Sequence, residues 1–479
     1  MATISTVTNQ QIESLVQQYR YSISNPITLL QNRQTSLNTR LNVLSELKSK
    51  MTALNNLAKG LKASGTTSKF NAFTVESSLG SVATGTATGT ASAGTHSLLV
   101  TQLAKQDKAI SAQLSSLATT IVGTEGAGQK TISITVNGSS VNVDFELDAG
   151  DTNSVVLNKL AAAVNASGGD VSAGVVSDTQ GTSRLVFTSK KTGSDQAVSL
   201  ADVSGSVLDT IGLGATVMAD RTASTATGGG FLYSSIGLLD AKFKLDGIDI
   251  IRGTNSITDV LSGVTLELKG VQSPTDTPLT LTVSSDKSSI KSTVQDFIKA
   301  YNDVLSFLNA KTSVNPENKT REILASDQVF KGLRMNMRSL IGSPVSSVAT
   351  GNPSLLAEIG ITAASDGTLS ISNAATFDNA LASNVRKVAD LFNSTDGVAG
   401  RMNALLESFT STGGQLEIAQ NGTRDQLSGI KSALTRNQTQ IDARVASFRK
   451  QYEALYNAMT RISLQSQTVT NLLNQLYGY

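Results

Sequence analysis

Residues 427–476 read LSGIKSALTRNQTQIDARVASFRKQYEALYNAMTRISLQSQTVTNLLNQL. Every seventh residue of this stretch is apolar: Leu427, Leu434, Ile441, Phe448, Leu455, Ile462, Val469 and Leu476. A second column, four residues further on, is polar at first and mostly apolar later: Lys431, Gln438, Val445, Tyr452, Met459, Ser466 and Leu473. This spacing predicts a coiled-coil helix about 75 Å long. Its apolar face needs a partner, because an isolated helix with one apolar face is unstable in water.

The N-terminal end of the chain supplies a matching pattern. A short helix is predicted over residues 9–24, and a second helix begins at Asn25-Pro26, where Asn is a good N-cap and Pro suits the first turn. This second helix extends to about Leu61, with apolar residues at Leu30, Leu37, Leu41, Leu44, Leu47, Met51, Leu54, Ala58 and Leu61. We therefore expect the helices at the two ends to pack together, antiparallel or in a bundle. The alternative is a long helix packed on the core of one domain.

Between the ends, alternating apolar residues indicate β structure. Hairpins are predicted at Asn137-Gly138 and Asp246-Gly247, because both dipeptides favour tight two-residue turns. Gly228–Gly230 has the composition of a linker. A helix is predicted from Asp151 to Asn165, with its buried face formed by Val155, Leu160 and Val164.

The length of 479 residues suits about three or four domains. The predicted fold class is α+β multidomain, with long helical coiled-coil termini forming a stalk or legs, a helical domain and two nested β-rich head domains. The predicted boundaries are 1–65 with 410–479 for the leg domain, 286–409 for the helical domain joined by the end of the N-terminal helix, 66–114 with 236–285 for one β-rich domain, and 115–235 for the β-rich domain inserted in it.

The residue types present argue against an enzyme. The chain has no cysteine and no tryptophan, and His96 is its single histidine. Disulfides, thiolate metal sites and cysteine nucleophiles are therefore excluded, and we expect His96 to be an ordinary strand residue. The acidic cluster Asp144, Glu146 and Asp148 alternates with apolar residues, which indicates the solvent face of a strand. We predict no cofactor and no metal.

Charge and hydropathy exclude two further classes of partner. Residues 1–63 and 415–479 carry 14 Lys and Arg residues against 6 Asp and Glu, and the net charge of the whole chain is +2. No basic run with interleaved aromatic residues indicates nucleic-acid binding. No apolar run approaches the ~20 residues of a membrane span, and the N-terminus does not follow the pattern of a cleaved signal peptide.

Several short stretches carry a resemblance to a known family when taken in their order along the chain. They are SAGTHSLLVTQLA (92–104), FKLDGIDI (243–250) with GVTLEL (263–268), FIKAYNDV (297–304) with AEIGIT (357–362) and DGTLS (366–370), and VASFRKQYEAL (445–455). These stretches resemble motifs of the flagellar hook-associated protein 2 family, the caps of flagellar filaments.

The resemblance implies a function and a set of partners. A cap is exported through the flagellar channel in a largely unfolded state and forms a ring at the distal tip of the filament, here of about five protomers. Its helical ends form legs, its β domains form a plate, and flagellin is held beneath and folded into place. Junction proteins and an export chaperone are further expected partners. No covalent reaction is implied.

The resemblance also gives the apolar columns a role, as contacts with neighbouring protomers or flagellin. The expected contact residues are Leu30, Leu37, Leu44, Met51, Leu427, Leu434, Ile441, Val445, Phe448, Tyr452, Leu455, Met459, Ile462, Val469, Leu473 and Leu476. Polar members of the second column, Lys431 and Gln438 among them, are expected to weaken this packing.

Three alternatives remain at this point. Another axial flagellar component, such as flagellin or a hook–filament junction protein, shares helical ends with a β-rich middle. A secreted surface adhesin is suggested by the Thr-, Gly- and Ser-rich strands, although it would not need heptads at both ends. An enzyme is the least consistent with one histidine and no recognisable site.

Overall fold

The computed structural model describes residues 9–222 and 225–477, and the chain divides into two compact units. One unit joins the two ends of the chain, up to Ser64 and from Ile290 onward. We call it the terminal unit. The other unit, Gly65–Ser289, is the β-rich unit. The division into four domains stays a prediction.

The helices follow the predicted pattern closely at both ends of the chain. In the described residues they are α1 (Asn9–Ile23), α2 (Asn25–Lys62), α3 (Thr120–Glu125), α4 (Asn153–Ala166), α5 (Val207–Thr210), α6 (Ala215–Ala219), α7 (Lys287–Lys311), α8 (Gln328–Gly342), α9 (Ala374–Asn393), α10 (Val398–Thr410) and α11 (Gln415–Tyr477). Helix α11 has 63 residues, which corresponds to about 95 Å.

The terminal unit is organised around the antiparallel pair α2 and α11. The side-chain amide of Gln420, near the start of α11, donates to the Ser45 hydroxyl of α2 at 3.2 Å. Helix α1, which precedes α2 in the chain, contacts a later part of α11, so the direction of the pairing is antiparallel. The predicted packing of the two ends is therefore confirmed. The buried face of α2 comprises Leu37, Val43, Leu44, Leu47, Met51, Leu54, Asn55, Ala58 and Leu61.

The junction between α1 and α2 corrects one prediction. Ser24, not Asn25, occupies the N-cap position of α2, and its hydroxyl donates to the Tyr21 carbonyl at 2.8 Å instead of capping the helix. Pro26 lies in the first turn and has no N–H to donate, so the helical ladder is interrupted here. The two helices are thus separate rods joined at one residue.

Helices α7 to α10 complete the terminal unit. Phe297 of α7 packs edge-on against Phe392 of α9, with ring centroids 6.1 Å apart, and Phe330 of α8 lies beside Phe409 of α10. Arg40 of α2 donates to Asp327, the N-cap residue of α8, at 2.6 Å. The ring contacts join α7 to α9 and α8 to α10, and the Arg40–Asp327 pair fixes the start of α8 beside the middle of α2.

The β-rich unit contains most of the strands. The strands are β1 (Phe73–Ser77), β2 (Ala83–Ala87), β3 (Gly94–Gln102), β4 (Gln106–Ile110), β5 (Leu114–Ser115), β6 (Gly128–Val136), β7 (Ser139–Leu147), β8 (Val171–Val176), β9 (Thr182–Thr192), β10 (Ser199–Ser204), β11 (Gly230–Phe231), β12 (Ala241–Leu245), β13 (Ile248–Arg252), β14 (Ser256–Leu261), β15 (Val264–Leu268), β16 (Leu279–Ser285) and, in the terminal unit, β17 (Ile361–Ala363) and β18 (Leu369–Ile371).

The largest sheet is antiparallel and curls almost into a barrel. Its strand order is β13-β12-β3-β16-β1-β2-β15-β14, and residues from both ends of this order share one hydrophobic core. Arg252 on edge strand β13 forms an ion pair with Asp259 on the other edge strand, with Nη2 and Oδ2 2.9 Å apart. The turn at Asp246-Gly247 has positive φ at both residues, as the predicted hairpin requires.

A second core lies between residues 109 and 231. Strand β9 pairs with β4, β5 and β8, while β6 pairs with β7 and β10. The hairpin at Asn137-Gly138 is confirmed, with positive φ at both turn residues. Helix α4 covers this core with Val156, Leu157, Leu160, Ala161 and Val164.

Strands β4 and β5 follow β3 of the large sheet in sequence but pair with β9. Two predictions in the β-rich unit are wrong. Val155 is exposed, because α4 begins at Asn153 and its buried face starts at Val156. Gly230 belongs to a strand that pairs with β4, and a side chain at Gly229 would collide with the Gly212 backbone, so Gly228–Gly230 is not a linker.

A buried polar contact fixes α10 against α2. The side-chain amide of Asn403 donates to Asn55 Oδ1 at 2.7 Å, and Lys62 Nζ donates to Asn403 Oδ1 at 3.3 Å. Both asparagines are buried. A buried amide without its partner is costly, so this pair disfavours other registers of the two helices.

Asn403→Leu should therefore lower the free energy of unfolding by about 1–3 kcal/mol, because Asn55 loses its donor in a buried site. Chemical denaturation of the full chain measures this change. Asn38→Leu, at an exposed position of α2, is the control and should have little effect. Equal stability of the Asn403 variant and the wild type would show that the buried pair contributes nothing.

A carboxylate anchors the loop after α8. Asp396 accepts the hydroxyl and backbone N–H groups of Ser346 and Ser347, with 2.8 Å from Ser346 N to Oδ2. The hydrogen bonds from the hydroxyls of Ser347 and Ser346 hold the pKa of Asp396 well below its usual range. The ionised form is thus stabilised by folding.

Because its pKa is lowered, Asp396 makes its full contribution to the free energy of unfolding above the ordinary carboxyl pKa of 3.8. That contribution is lost as the pH falls through the lowered pKa. Asp396→Asn should cost about 1 kcal/mol at pH 7, and its difference from wild type should shrink progressively below pH 3.8. Denaturation at pH 7 and in acid measures both, with Asp425→Asn as an exposed control. A pH-independent difference would contradict this assignment.

Candidate functional site in the terminal coil

Helix α1 packs along the middle of α11. Tyr19 stacks on Phe448 with ring centroids 4.2 Å apart and an interplanar angle of 11°, and Phe448 also lies 4.6 Å from Tyr452. Ile12 and Val16 are buried on the same side of α1. These contacts place the predicted contact residues Phe448 and Tyr452 at a helix–helix interface within one chain.

Two ion pairs flank the aromatic stack. Arg449 donates from Nη1 to Oε1 and from Nη2 to Oε2 of Glu13, each at 2.7 Å. Arg20 forms the second ion pair, with Asp442. The four side chains are 43–50% exposed. Exposed ion pairs contribute little stability, so their main effect is to set the antiparallel register of α1 on α11.

Beyond Tyr452 the apolar column of α11 continues without comparable cover. Seven large apolar side chains in this part are 48–77% exposed: Leu455, Ile462, Leu464, Val469, Leu472, Leu473 and Leu476. We call Leu455, Ile462, Val469, Leu473 and Leu476 the uncovered stripe. Such exposure is usual for a helix without a partner, and a continuous apolar stripe marks a surface for association.

The uncovered part of the helix is almost free of charge. Arg461 is the single charged residue between Ala454 and Tyr477, and the other polar residues there are Asn, Gln, Ser and Thr. Arg461 directly precedes Ile462 and so lies beside the stripe rather than in it. Recognition by this part of α11 must therefore rest on apolar packing and neutral hydrogen bonds, not on charge.

An open groove of about 820 Å³ lies where α1 meets α2. It is lined by residues of α1, α2 and α11, with Ile27 and Ile441 among them. Tyr21 borders it and is 84% exposed. The groove shows that the junction between α1 and α2 does not pack tightly onto α11.

The remaining predicted positions fall into two groups. Leu37, Leu44, Met51 and Ile441 are buried within the terminal unit, whereas Leu30, Leu427, Leu434, Val445 and Met459 are partly exposed. Whether any of these residues contacts a second copy or flagellin stays a prediction. Lys431 and Gln438 are exposed, and Gln438 bonds to Asp442 on its own helix, so neither lies in the buried face between the two ends of the chain. The expectation that they weaken contacts with neighbouring copies or flagellin stays a prediction.

Sequence reasoning missed the residues that α11 buries near its start. These are Leu416, Gln420, Thr423 and Ile430. Gln420 and Thr423 are polar, but Gln420 bonds to Ser45 and the Thr423 hydroxyl donates to the Ala419 carbonyl one turn back. The spacing of three and four residues from Leu416 was the available signal, although the polar side chains obscure it.

The part of the chain that the structure describes gives no indication of a metal site or of a membrane-spanning helix. No group of three or more His, Asp or Glu side chains there is placed to hold a metal ion. His96 lies on β3, where its Nδ1 is 2.7 Å from Asp246 Oδ2, and this hydrogen bond lowers the pKa of Asp246. Asp144 and Glu146 lie on the exposed face of β7, as predicted, and Asp148 is exposed directly after the strand. None of the described helices is both long and apolar enough to cross a membrane.

Comparison with known proteins gives a consistent result along the chain. The N-terminal model of the flagellar hook-associated protein 2 family matches residues 8–107, and the C-terminal model matches residues 239–463. The A-type flagellar hook-associated protein 2 of Pseudomonas aeruginosa is 29% identical over 461 residues, which cover 94% of this chain and 92% of that protein. The flagellar hook-associated protein 2 of Xenorhabdus nematophila is 25% identical, covering 99% of this chain and 100% of that protein.

A solved structure shares the fold. The crystal structure of the D1, D2 and D3 domains of the flagellar cap protein FliD from Escherichia coli matches with a TM-score of 0.62 at 24% identity. The match covers 80% of this chain and 99% of that chain. The predicted α+β multidomain fold with long terminal helices is confirmed.

The two ends of this α+β chain join in one long coil, and that coil leaves an apolar stripe exposed. These features are typical of a structural assembly protein. Both family models name the same group of proteins. The chain belongs to the flagellar hook-associated protein 2 family, the flagellar filament caps, and it is not an enzyme.

The stack of Tyr19 on Phe448 should hold α1 on α11. Tyr19→Ala should raise the hydrogen-exchange rates of α1 amides by about 2- to 10-fold, because an aromatic pair contributes about 0.5–1.5 kcal/mol beyond its buried area. Exchange in α2 should not change.

Tyr21→Ala is the matched control, since it removes the same ring two residues away at an exposed position. It should leave exchange in α1 as in the wild type. If the two variants behave alike, the stack does not hold the helix.

Proposed function

We propose that this chain caps the distal tip of the flagellar filament, where it retains exported flagellin and promotes its folding and polymerisation. In this proposal the chain leaves the cell by the flagellar export route and works as a ring of several copies. Membership in the filament-cap family supports the cap over the flagellin, junction-protein and adhesin alternatives.

The observation that carries the mechanism is the uncovered stripe on α11. A helix with a half-exposed apolar stripe gains free energy when a second helix covers it. We assign this stripe to contacts with neighbouring copies and, at the filament tip, with flagellin. The β-rich unit, whose two cores are complete without α11, would then be free to form the plate above the growing end.

The physical role of the stripe follows from its composition. Leu and Ile at heptad positions favour association, while Ser466 in the same face and the absence of paired charges limit its strength and specificity. A contact of moderate strength suits a cap that must re-seat as each subunit is added. No covalent step and no cofactor is required.

The test uses a strain lacking this protein, complemented with variants of the full chain. The strain itself should be immotile and should release monomeric flagellin into the medium, and the wild-type chain should restore filaments. Normal filaments in the deletion strain would contradict the cap function.

Ile462→Asp with Val469→Asp should fail to restore motility, because burying either carboxylate in a coil interface is costly. The matched control is Gln467→Asp with Asn471→Asp, which adds the same charges on the opposite face of α11 and should restore motility. Detection of each variant outside the cell separates failed export from failed capping. Full rescue by the Ile462 and Val469 double variant would remove the stripe from the mechanism.

A further inference from the structure

The tip of the β6–β7 hairpin carries two groups that can react with each other. Asn137 and Gly138 form the two-residue turn, with φ angles of 48° and 73°, and both residues are exposed. The side chain of Asn137 makes no hydrogen bond with the other described residues, and the backbone N–H of Gly138 donates to none of them. A carboxamide and the backbone nitrogen that follows it are therefore both free of competing partners.

These two groups can close a five-membered ring. The Gly138 nitrogen attacks Cγ of Asn137, and a new C–N bond forms between them. The bond from Cγ to the side-chain nitrogen breaks, and that nitrogen leaves as ammonia with the proton that Gly138 loses. One water molecule then opens the cyclic imide at either carbonyl, which gives aspartate or isoaspartate. Water is the single co-reactant, and nothing is oxidised or reduced.

The turn gives access to the backbone conformation that ring closure needs. Attack on Cγ requires an Asn ψ of about −120°, the value at the first central residue of a type II′ turn, whereas positive φ at both residues indicates a type I′ turn with ψ of about +30°. A flip of the peptide between Asn137 and Gly138 converts the first turn into the second. Both turns close two-residue hairpins, so the pairing of Val136 with Ser139 is kept during the flip.

The other Asn-Gly dipeptide of the chain lies in a helix and provides an internal comparison. Asn421 is also exposed, but its Oδ1 accepts a hydrogen bond from Arg424 at 2.8 Å. The nitrogen of Gly422 lies inside the helical hydrogen-bond ladder of α11. A helical ψ is about −42°, so ring closure at Asn421 requires local unfolding of α11. The same dipeptide is thus protected at one position and open at the other.

The three Asp-Gly dipeptides are held by hydrogen bonds to their carboxylates. Asp246 accepts the Ser97 N–H at 2.8 Å, Asp366 accepts the Thr368 N–H at 2.9 Å, and Asp396 accepts the Ser346 N–H at 2.8 Å. An ionised carboxylate is also a poor target for a nucleophile. Among the dipeptides of both kinds, the structure therefore favours ring closure at Asn137.

We propose that Asn137 is a self-modification site, at which the folded chain converts to aspartate and isoaspartate through a cyclic imide. Each product adds a negative charge to the hairpin tip, and isoaspartate also adds one carbon to the backbone of the turn. The hydroxyls of Thr135 and Ser140 lie 2.7 Å apart beside the turn, and Val136 is buried. A longer turn should loosen these contacts. The inference does not depend on the proposed function.

The test incubates the folded full chain in mildly alkaline buffer, because the attacking nitrogen must lose its proton. A second sample is incubated in guanidinium chloride. Both are then digested in acid, and mass spectrometry with electron-transfer fragmentation distinguishes aspartate from isoaspartate. In the folded chain Asn137 should convert at least about tenfold faster than Asn421, because a peptide flip costs less than opening a helix. In the denaturant the two positions should convert at similar rates.

Asn137→Gln keeps the amide but requires a larger ring, so it should abolish the conversion at this position. The matched control is Asn142→Gln, an exposed position on β7 of the same hairpin, which should leave the conversion of Asn137 unchanged. In the isoaspartate form, amide hydrogen exchange should be faster at Val136 and Ser139 than in the unmodified chain, and unchanged in α11.

Equal conversion of Asn137 and Asn421 in the folded chain would overturn the proposal. So would an unchanged Asn137 in the folded chain while the denatured chain reacts, because the turn would then protect the site. Formation of aspartate without isoaspartate would show direct hydrolysis of the side-chain amide and would overturn the cyclic imide.

Discussion

The packing of α2 against α11 is the interaction on which the terminal unit depends. It joins two segments separated by more than 350 residues of sequence, from Lys62 to Gln415. Bringing such distant segments together has an entropic cost that grows slowly with the length of the loop between them. A long apolar face on both helices offsets that cost, and a contact between the two ends leaves the intervening chain able to fold as a separate β-rich unit.

The same helix that closes the terminal unit also extends beyond it. Helix α11 uses its first part to bury Leu416 and Ile430 within its own chain, its middle part to hold α1, and its last part to expose an apolar stripe. One helix thus changes from an internal contact to an exposed surface along its length. In the proposed function this arrangement links the stability of each copy to the surface assigned to contacts between copies, because both are on one helix.

Much of this organisation is readable from the sequence, because period and turn chemistry are local signals. The heptads predict both end helices, and Asn137-Gly138 and Asp246-Gly247 mark hairpins, whose tight turns require the positive φ angles found there. Choice of strand partner is not local. Strands β4 and β5 follow the large sheet directly in sequence yet pair with β9, and nothing in their own residues distinguishes the two sheets.

The candidate site was predictable in outline only. The column from Ile441 to Leu476 is visible as a repeat of seven, but the first part of α11 follows the 3.6-residue period of a straight helix, so Lys431 drifts to the solvent side. Gln420 and Thr423 are buried because hydrogen bonds to Ser45 and Ala419 satisfy them, and polarity alone gives no sign of this. The contact of Tyr19 with Phe448 joins residues too far apart in sequence for any local pattern to indicate.

The central claim is that the uncovered stripe of α11 pairs with a second copy of the chain. The most direct measurement is the dipolar coupling between nitroxide labels on Gln465→Cys in the otherwise cysteine-free full chain. Gln465 is exposed and lies beside the stripe, three residues after Ile462 and four before Val469, so paired helices would bring labels on different copies close together. The account predicts a strong short-range coupling that weakens in proportion when labelled chain is diluted with unlabelled chain. A signal no different from that of uniformly dispersed labels, at concentrations where the chain assembles, would contradict it.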